Sequence, residues 1–165
     1  MLRASFILST VLILATTALG VHIATTCFPV AAPTVRFDAV DIVLKLPAGT
    51  ELGSYQVELA PLADQPTTVR VVGIEGGEHQ SFQTPPFYDP KAIGNERVIL
   101  AAYSTADELP SGTTRIARVH YEISGEGELP DLVQLLSIHE TVTTDRAGIA
   151  LDTQPTLTPS KGARQ

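Results

Sequence analysis

The sequence predicts an all-β domain, a two-sheet antiparallel β-sandwich, preceded by an N-terminal apolar helix. Two observations predict the sandwich. About eight short segments after residue 33 have the composition of β-strands, and most of them alternate apolar with polar residues. Glycine and proline clusters separate these segments, and no stretch after residue 33 has the apolar period of a helix of useful length. Short alternating strands with turns between them are typical of two packed sheets.

Three strands are predicted before the middle of the chain, at 36–46, 54–60 and 67–74. Further on, the stretch 97–103 is apolar on both faces and is predicted to be a central strand, whereas 113–124 shows the clearest alternation. One face of each alternating strand should therefore face a core. The residues expected to be buried between the two sheets are Ile42, Leu44, Tyr55, Val57, Leu59, Val69, Val71, Leu100, Val119, Tyr121 and Ile123.

The remaining elements are predicted from turn signals. Asp89, Pro90 and Gly94 have the order expected of a cap, a first position and an end of one helical turn. A last hairpin is predicted from 132–143 and 148–153. Residues 154–165 contain two prolines and no apolar pattern, so a disordered tail is expected there and the folded domain is expected to span 34–153.

Residues 1–33 are predicted to be a signal peptide or a membrane anchor followed by a linker. Arg3 supplies a positive start, and an apolar run of 19 residues begins at Phe6, near the roughly 20 that a bilayer span requires. Small residues before Val21 fit a signal-peptide cleavage site, so cleavage and retention both remain open. In either case the domain is expected outside the cytoplasm. It would lie on the outer face of the cytoplasmic membrane if anchored, and be secreted or periplasmic if cleaved.

The charge distribution excludes several partners. The chain has a formal net charge of −7, and all 18 acidic residues follow residue 33 together with 10 of the 11 basic ones. A domain with that balance should repel nucleic acid and anionic lipid. Membrane contact is therefore expected through the N-terminal segment only. The single cysteine, Cys27, cannot form an internal disulfide, so stability is expected to come from the core.

The stretch 74–92 stands out among the connections between strands. It holds Phe82, Phe87 and Tyr88, three of the seven aromatic residues after residue 33, together with paired glycines and prolines. We expect an ordered cap in which the two phenylalanines are anchored on the end of the sandwich. Three residues are expected to face outward and contact a partner: Glu78, His79 and Tyr88.

No catalytic residue, metal site or cofactor is predicted. The chain contains no nucleophile-elbow, phosphate-loop or zinc-protease motif. Ser81 is expected on the opposite side of the backbone from His79, which argues against a nucleophilic pair. Glu75, Glu78, His79 and Asp89 are metal-ligand types, but their spacing matches no ligand motif, so a solvated loop is expected.

Three stretches resemble a cohesin-type domain, a jelly-roll sandwich related to carbohydrate-binding modules. These are LGSYQVELA (52–60), VRVVGIEGG (69–77) and the paired strands of 97–124, and the resemblance covers 38–152. It implies the fold. Cohesins bind dockerin modules on a flat sheet face, but the long, proline-rich stretch 74–92 departs from the family, and a fold does not fix a partner.

The sequence therefore predicts an exported, non-catalytic β-sandwich module that mediates protein–protein interaction at the cell envelope. A carbohydrate-binding module is the alternative, so the expected partner is an unidentified envelope protein or polysaccharide. A sugar platform requires exposed aromatic rings in one plane. Trp is absent, and Tyr55 and Tyr121 are in phase with core residues, which favours the protein partner.

Overall fold

The computed structural model describes residues 32–94 and 96–160. The predicted N-terminal apolar helix lies outside the described residues. The described part of the chain contains eight strands, a single 3-10 turn (Gln80–Phe82) and two one-turn helices. The strands are β1 (Thr34–Lys45), β2 (Ser54–Pro61), β3 (Thr68–Gly76), β4 (Phe87–Tyr88), β5 (Val98–Tyr103), β6 (Thr113–Gly125), β7 (Leu136–Thr144) and β8 (Thr156–Pro159), and the helices are α1 (Pro90–Ile93) and α2 (Leu132–Leu135).

The strands form two four-stranded sheets. The first has the order β3-β6-β1-β8, and the second has the order β4-β5-β2-β7. Every pairing between neighbouring strands is antiparallel. This arrangement is consistent with the predicted β-sandwich. The prediction that β5 is a central strand is confirmed, because β5 lies between β4 and β2.

The core lies between the two sheets and follows the predicted alternation. All the residues expected to be buried are buried except Val71, which is partly buried and packs against the core. Val71 differs because β3 is an edge strand of its sheet, so its inner face is open on one side. The short helix α2 adds Leu132 and Leu135 to the same core, and the sequence pattern did not separate this turn from β7.

The prediction of a disordered tail from residue 154 is wrong for the strand β8. This strand pairs with β1, with Leu157 opposite Ile42, and Leu157 packs against the core. The hydroxyl of Thr153 donates to the carbonyl of Lys45 at 2.9 Å just before the strand. An edge strand tolerates proline and needs only one buried side chain, so its sequence resembles a tail.

The predicted last hairpin is only partly formed. Its first arm is β7, but 148–153 makes only an isolated bridge between Thr144 and Ala150 and is otherwise not a strand. Asp145 closes the turn, because its carboxylate accepts from the backbone N–H groups of Ala147 and Ile149. The predicted helical turn is confirmed as α1, with the carboxylate of Asp89 accepting from the N–H of Lys91.

Candidate functional site

The outer surface of the second sheet carries a group of mostly apolar side chains, which we call the aromatic face: Gln56, Phe87, Ala101, Tyr103 and Val142. Phe87 lies opposite Ala101, Ala101 opposite Gln56, and Gln56 opposite Val142, so one row crosses all four strands. Tyr103 follows Ala101 by two residues and therefore projects from the same side of the sheet. The face thus places two aromatic rings and a valine on one surface.

These apolar side chains are unusually exposed. Phe87 is 76% exposed, Tyr103 is 80% exposed and Val142 is 47% exposed. They border a shallow groove of about 380 Å³, together with Ser54 and Gln56. The groove exists because Ala101, a small residue, lies in the row beside Phe87. Single exposed apolar residues are common, but a group of them on one face indicates an interaction surface.

The cap that leads into the aromatic face is ordered by close packing. Phe82 is buried, and its ring lies 5.6 Å from that of Tyr55, so its predicted anchoring role is confirmed. The N–H of Gly77 donates to the carbonyl of Phe82 at 2.7 Å. A side chain at Gly76 would overlap the backbone of Gln83, so the glycine allows the chain to fold back on itself.

The predicted anchoring of Phe87 is wrong, because its ring faces solvent. Phe87 lies in β4 opposite Ala101, whose side chain points outward, whereas Tyr88 lies opposite Leu100, whose side chain points into the core. The alternation of a strand therefore turns Phe87 outward. Because the sequence predicted a loop at this position, it gave no alternation from which to read the direction of either ring.

The three residues predicted to contact a partner lie in two places. Glu78 and His79 follow β3 directly, whereas Tyr88 lies in β4. Glu78 and Tyr88 are exposed as predicted, and His79 is half-buried. The carboxylate of Glu78 accepts from the backbone N–H of Arg115 at 3.0 Å, so it also holds the cap on β6. Their role as partner contacts remains a prediction.

His79 connects the cap with the aromatic face. It lines a second cleft of about 700 Å³ that is shared with Tyr103 and Glu108. Tyr103 thus borders both this cleft and the groove on the sheet. Of the predicted contact residues, His79 is the one that the structure places beside the exposed rings.

The expected separation of Ser81 from His79 is wrong. The Ser81 hydroxyl lies 2.8 Å from the Nδ1 atom of His79, and the Ser81 N–H donates to the same atom at 3.3 Å. His79 is the N-terminal cap of the 3-10 turn, and this geometry satisfies the first free N–H of that turn. The contact therefore has a structural explanation.

The outer surface of the first sheet has a different chemistry. Arg118 forms a two-pronged pair with Asp41, with its shorter contact at 2.6 Å, and His120 lies 2.7 Å from Glu75. Hydrogen bonding to Asp41 raises the pKa of the Arg118 guanidinium above its ordinary value. The charged groups named here are paired with one another, but Val35 and Phe37 are also exposed on this sheet, so the surface differs from the aromatic face in its ion pairs and not in lacking apolar side chains.

The aromatic face itself ends in a charged pair. Glu58 follows Gln56 by two residues on the same side of β2, and its carboxylate lies 2.7 Å from the guanidinium of Arg97. A hydrogen bond from that guanidinium to Glu58 raises the pKa of Arg97. The apolar surface is therefore bounded along β2 by an ion pair.

Two further findings concern the described residues alone. Among residues 32–94 and 96–160, no group of three or more histidine, cysteine and acidic side chains is arranged to hold a metal ion. Within the same ranges, no helix has the length and apolarity needed to cross a bilayer.

Comparison with known proteins gives no match: no family model, no curated protein and no solved structure is significantly similar to this chain. The class that the structure defines is an antiparallel protein of two four-stranded sheets, consistent with a β-sandwich. The cohesin resemblance remains a prediction from sequence.

The sequence predicted β2, β5 and most of β7, but neither β4 nor the aromatic face itself. Alternation in β2 places Gln56 outward, whereas β5 is apolar on both faces and its sequence does not show that Ala101 and Tyr103 point outward. Val142 joins them only because β7 pairs with β2 rather than with a strand nearer in sequence. Such non-local pairing leaves no local signal in the sequence.

Proposed function

We propose that this protein is an exported, non-catalytic β-sandwich module of the jelly-roll, cohesin-like type that binds a protein partner at the cell envelope. The aromatic face is the docking surface. Export is inferred from the sequence of residues 1–33, and the mass of the mature N-terminus would distinguish cleavage before Val21 from a retained anchor. An uncleaved N-terminus, with the domain recovered in the cytoplasm, would contradict export.

The observation that supports a docking surface is the exposure of Phe87 and Tyr103 on one face, with Val142 across the groove. Aromatic side chains are the commonest energetic anchors of protein interfaces. Burying them against a partner removes apolar area from water, at about 25 cal/mol per Å². The opposite face also exposes Val35 and Phe37, but a partner seated there would have to desolvate ion pairs such as that between Arg118 and Asp41, which opposes binding.

The predicted cap residues extend the same proposal. His79 lies at the cleft bordered by Tyr103, so a partner seated on the aromatic face would reach the cap from that side. In this proposal Glu78 and His79 contribute polar contacts at the rim, and Tyr88, which lies opposite Leu100, contributes from the open edge of β4. Rim contacts are generally worth less than central aromatic anchors.

A carbohydrate partner is the second candidate, and a specific observation favours it. The groove between the exposed rings also carries the Ser54 hydroxyl and the Gln56 amide. Rings with polar groups between them suit a polysaccharide, whose apolar faces stack on aromatic side chains while its hydroxyls form hydrogen bonds. Val142 and Ala101 offer nothing to sugar hydroxyls, which is why the protein partner is preferred.

The proposal predicts a loss of binding in the double variant Phe87→Ser, Tyr103→Ser. Removing two central anchors should weaken the interaction by at least about thirtyfold, because one hot-spot side chain contributes about 2 kcal/mol or more. The measurement is recovery of envelope proteins by the tethered wild type and the variant, quantified by mass spectrometry. Sedimentation with insoluble envelope polysaccharide, using the same pair of proteins, tests the second candidate.

The matched control is Phe37→Ser. Phe37 is 59% exposed on the other sheet, so the change removes one exposed aromatic ring without touching the aromatic face. A second comparison is the triple alanine variant of Glu78, His79 and Tyr88, which should weaken binding less than the double variant. Equal recovery of every captured protein and polysaccharide by the folded double variant and by Phe37→Ser would refute the docking surface.

A further inference from the structure

A separate cleft opens along the side of the molecule, between the edge strand β3 and the helix α1. It has a volume of about 410 Å³, and its walls include Pro61, Val69, Val71 and Ile93. Val71 pairs with Tyr121 across β3 and β6, so both side chains point to the inner side of the first sheet. The cleft therefore leads from solvent toward the core and does not share residues with the aromatic face.

Tyr121 also lines this cleft, and its hydroxyl is unusual. The residue is 2% exposed, and its hydroxyl has no hydrogen-bond partner among the described residues. Leaving a buried hydroxyl without a partner has a substantial cost in stability, and most buried polar groups are paired. Phenylalanine would fill the same space without that cost, so the packing of the core does not explain why this residue has a hydroxyl.

A second buried tyrosine, Tyr55, differs from Tyr121 in the hydrogen bonding of its hydroxyl. Tyr55 is equally buried, but its hydroxyl donates to the carbonyl of Ile116 at 2.9 Å. Burial raises the pKa of both phenols above the ordinary value, so each hydroxyl keeps its proton and can donate it. The two buried tyrosines thus differ in hydrogen bonding: the proton of Tyr55 has an acceptor, and that of Tyr121 has none among the described residues.

The remaining walls of the cleft define what could accept that proton. A bound water usually needs two to four polar partners, and the apolar walls formed by Val69, Val71 and Ile93 offer few. Two charged residues of opposite sign, Arg70 and Glu96, also line the cleft. The guanidinium of Arg70 lies 2.7 Å from the carboxylate of Glu122. The cleft therefore selects for a neutral molecule rather than for an ion.

We propose that this cleft is a binding site for a small, neutral, apolar compound that carries one hydrogen-bond acceptor oxygen, and that the hydroxyl of Tyr121 donates to that oxygen. The volume is at the lower end of the range of small-molecule sites, which fits a compact ligand or the end of a longer one. The hydroxyl itself is buried, so the proposal includes a side-chain shift in the cleft wall that lets the ligand reach it. Side-chain shifts of that kind are common on binding.

The test uses two probes of nearly the same shape, acetophenone and ethylbenzene, of which only acetophenone has a carbonyl oxygen. Each is titrated into the full-length protein while the methyl resonances of Val71 and Ile93 are followed by NMR. Saturable shifts of these methyl groups are expected with both probes. In the variant Tyr121→Phe, acetophenone should bind about threefold to tenfold more weakly, the loss of one hydrogen bond, while ethylbenzene should be unchanged within about twofold.

Two controls keep the result decisive. Tyr121→Phe removes a hydroxyl that has no partner among the described residues, so the variant should be at least as stable as the wild type. Tyr55→Phe loses a hydrogen bond, so it should be less stable, but it should bind acetophenone as tightly as the wild type. Ile93→Asp places a charge in the wall and should abolish binding of both probes. The proposal would be overturned if no saturable shifts were seen, or if either probe still bound to Ile93→Asp. It would also be overturned if Tyr121→Phe had the same effect on the affinity for both probes.

Discussion

Replacing Leu100 with alanine is expected to lower the free energy of unfolding by about 2–5 kcal/mol. Leu100 is fully buried in β5, opposite Val57 on one side and Tyr88 on the other. Its neighbours belong to β2 and β4, which are fixed by their own hydrogen bonds and cannot close fully over a missing isobutyl group. The lost burial and the remaining cavity therefore add together.

Urea unfolding followed by far-ultraviolet circular dichroism measures this change, with Ile99→Ala as the matched control. Ile99 precedes Leu100 on the same strand but points outward and is only partly buried, so its truncation should have less than half the effect. Equal losses in the two variants would mean that β5 does not present Leu100 to a core. A mostly helical spectrum of the wild type would contradict the fold altogether.

Gly76→Ala is expected to destabilise the protein by about 3 kcal/mol, the upper end of the usual cost of overpacking. The added methyl group would overlap the carbonyl oxygen of Gln83 and lie 2.6 Å from that of Thr84. Both neighbours are backbone atoms, so relief requires the whole cap to move. That movement would pull Phe82 from Tyr55 and displace β4, which follows the cap, together with Phe87.

Gly73→Ala is the control for that substitution, because it lies on the same strand and its nearest neighbour is the side chain of His120 at 3.6 Å. It should leave the midpoint of thermal unfolding nearly unchanged, while Gly76→Ala lowers it by several degrees. Gly76→Ala should also weaken partner binding, since it disturbs the position of Phe87 on the aromatic face. Indistinguishable unfolding midpoints in the two variants would show that the cap is loosely held.

The position of the core was predicted from local sequence because alternation is a local property. In β6, successive residues must point to opposite faces, so Val119, Tyr121 and Ile123 were placed inward without knowledge of any partner strand. The turn at Asp89 was equally local, since an N-terminal cap depends on atoms two residues away. Where a pattern and its cause lie within one element, the sequence predicts the structure.

The direction of Phe87 and the strand β8 could not be predicted in this way. Two residues are too few to show alternation, and β4 exists only because β5 offers it an edge with which to pair. The strand β8 is held by β1, more than a hundred residues earlier in the chain, through pairs such as that between Leu157 and Ile42. Which strands pair with β4 and β8 depends on the packing of the whole domain.

The sequence by itself determined an all-β domain, the face of each long strand that is buried, and a formal net charge of −7. Only the tertiary structure decided which strands are neighbours. It thereby placed Phe87, Tyr103 and Val142 on one surface, and it left the hydroxyl of Tyr121, beside an apolar cleft, without a partner in the part of the chain that the structure describes. The physical reason is that burial follows from the order of residues within a strand, whereas a site needs residues from several strands. Their meeting depends on pairings that no single strand encodes.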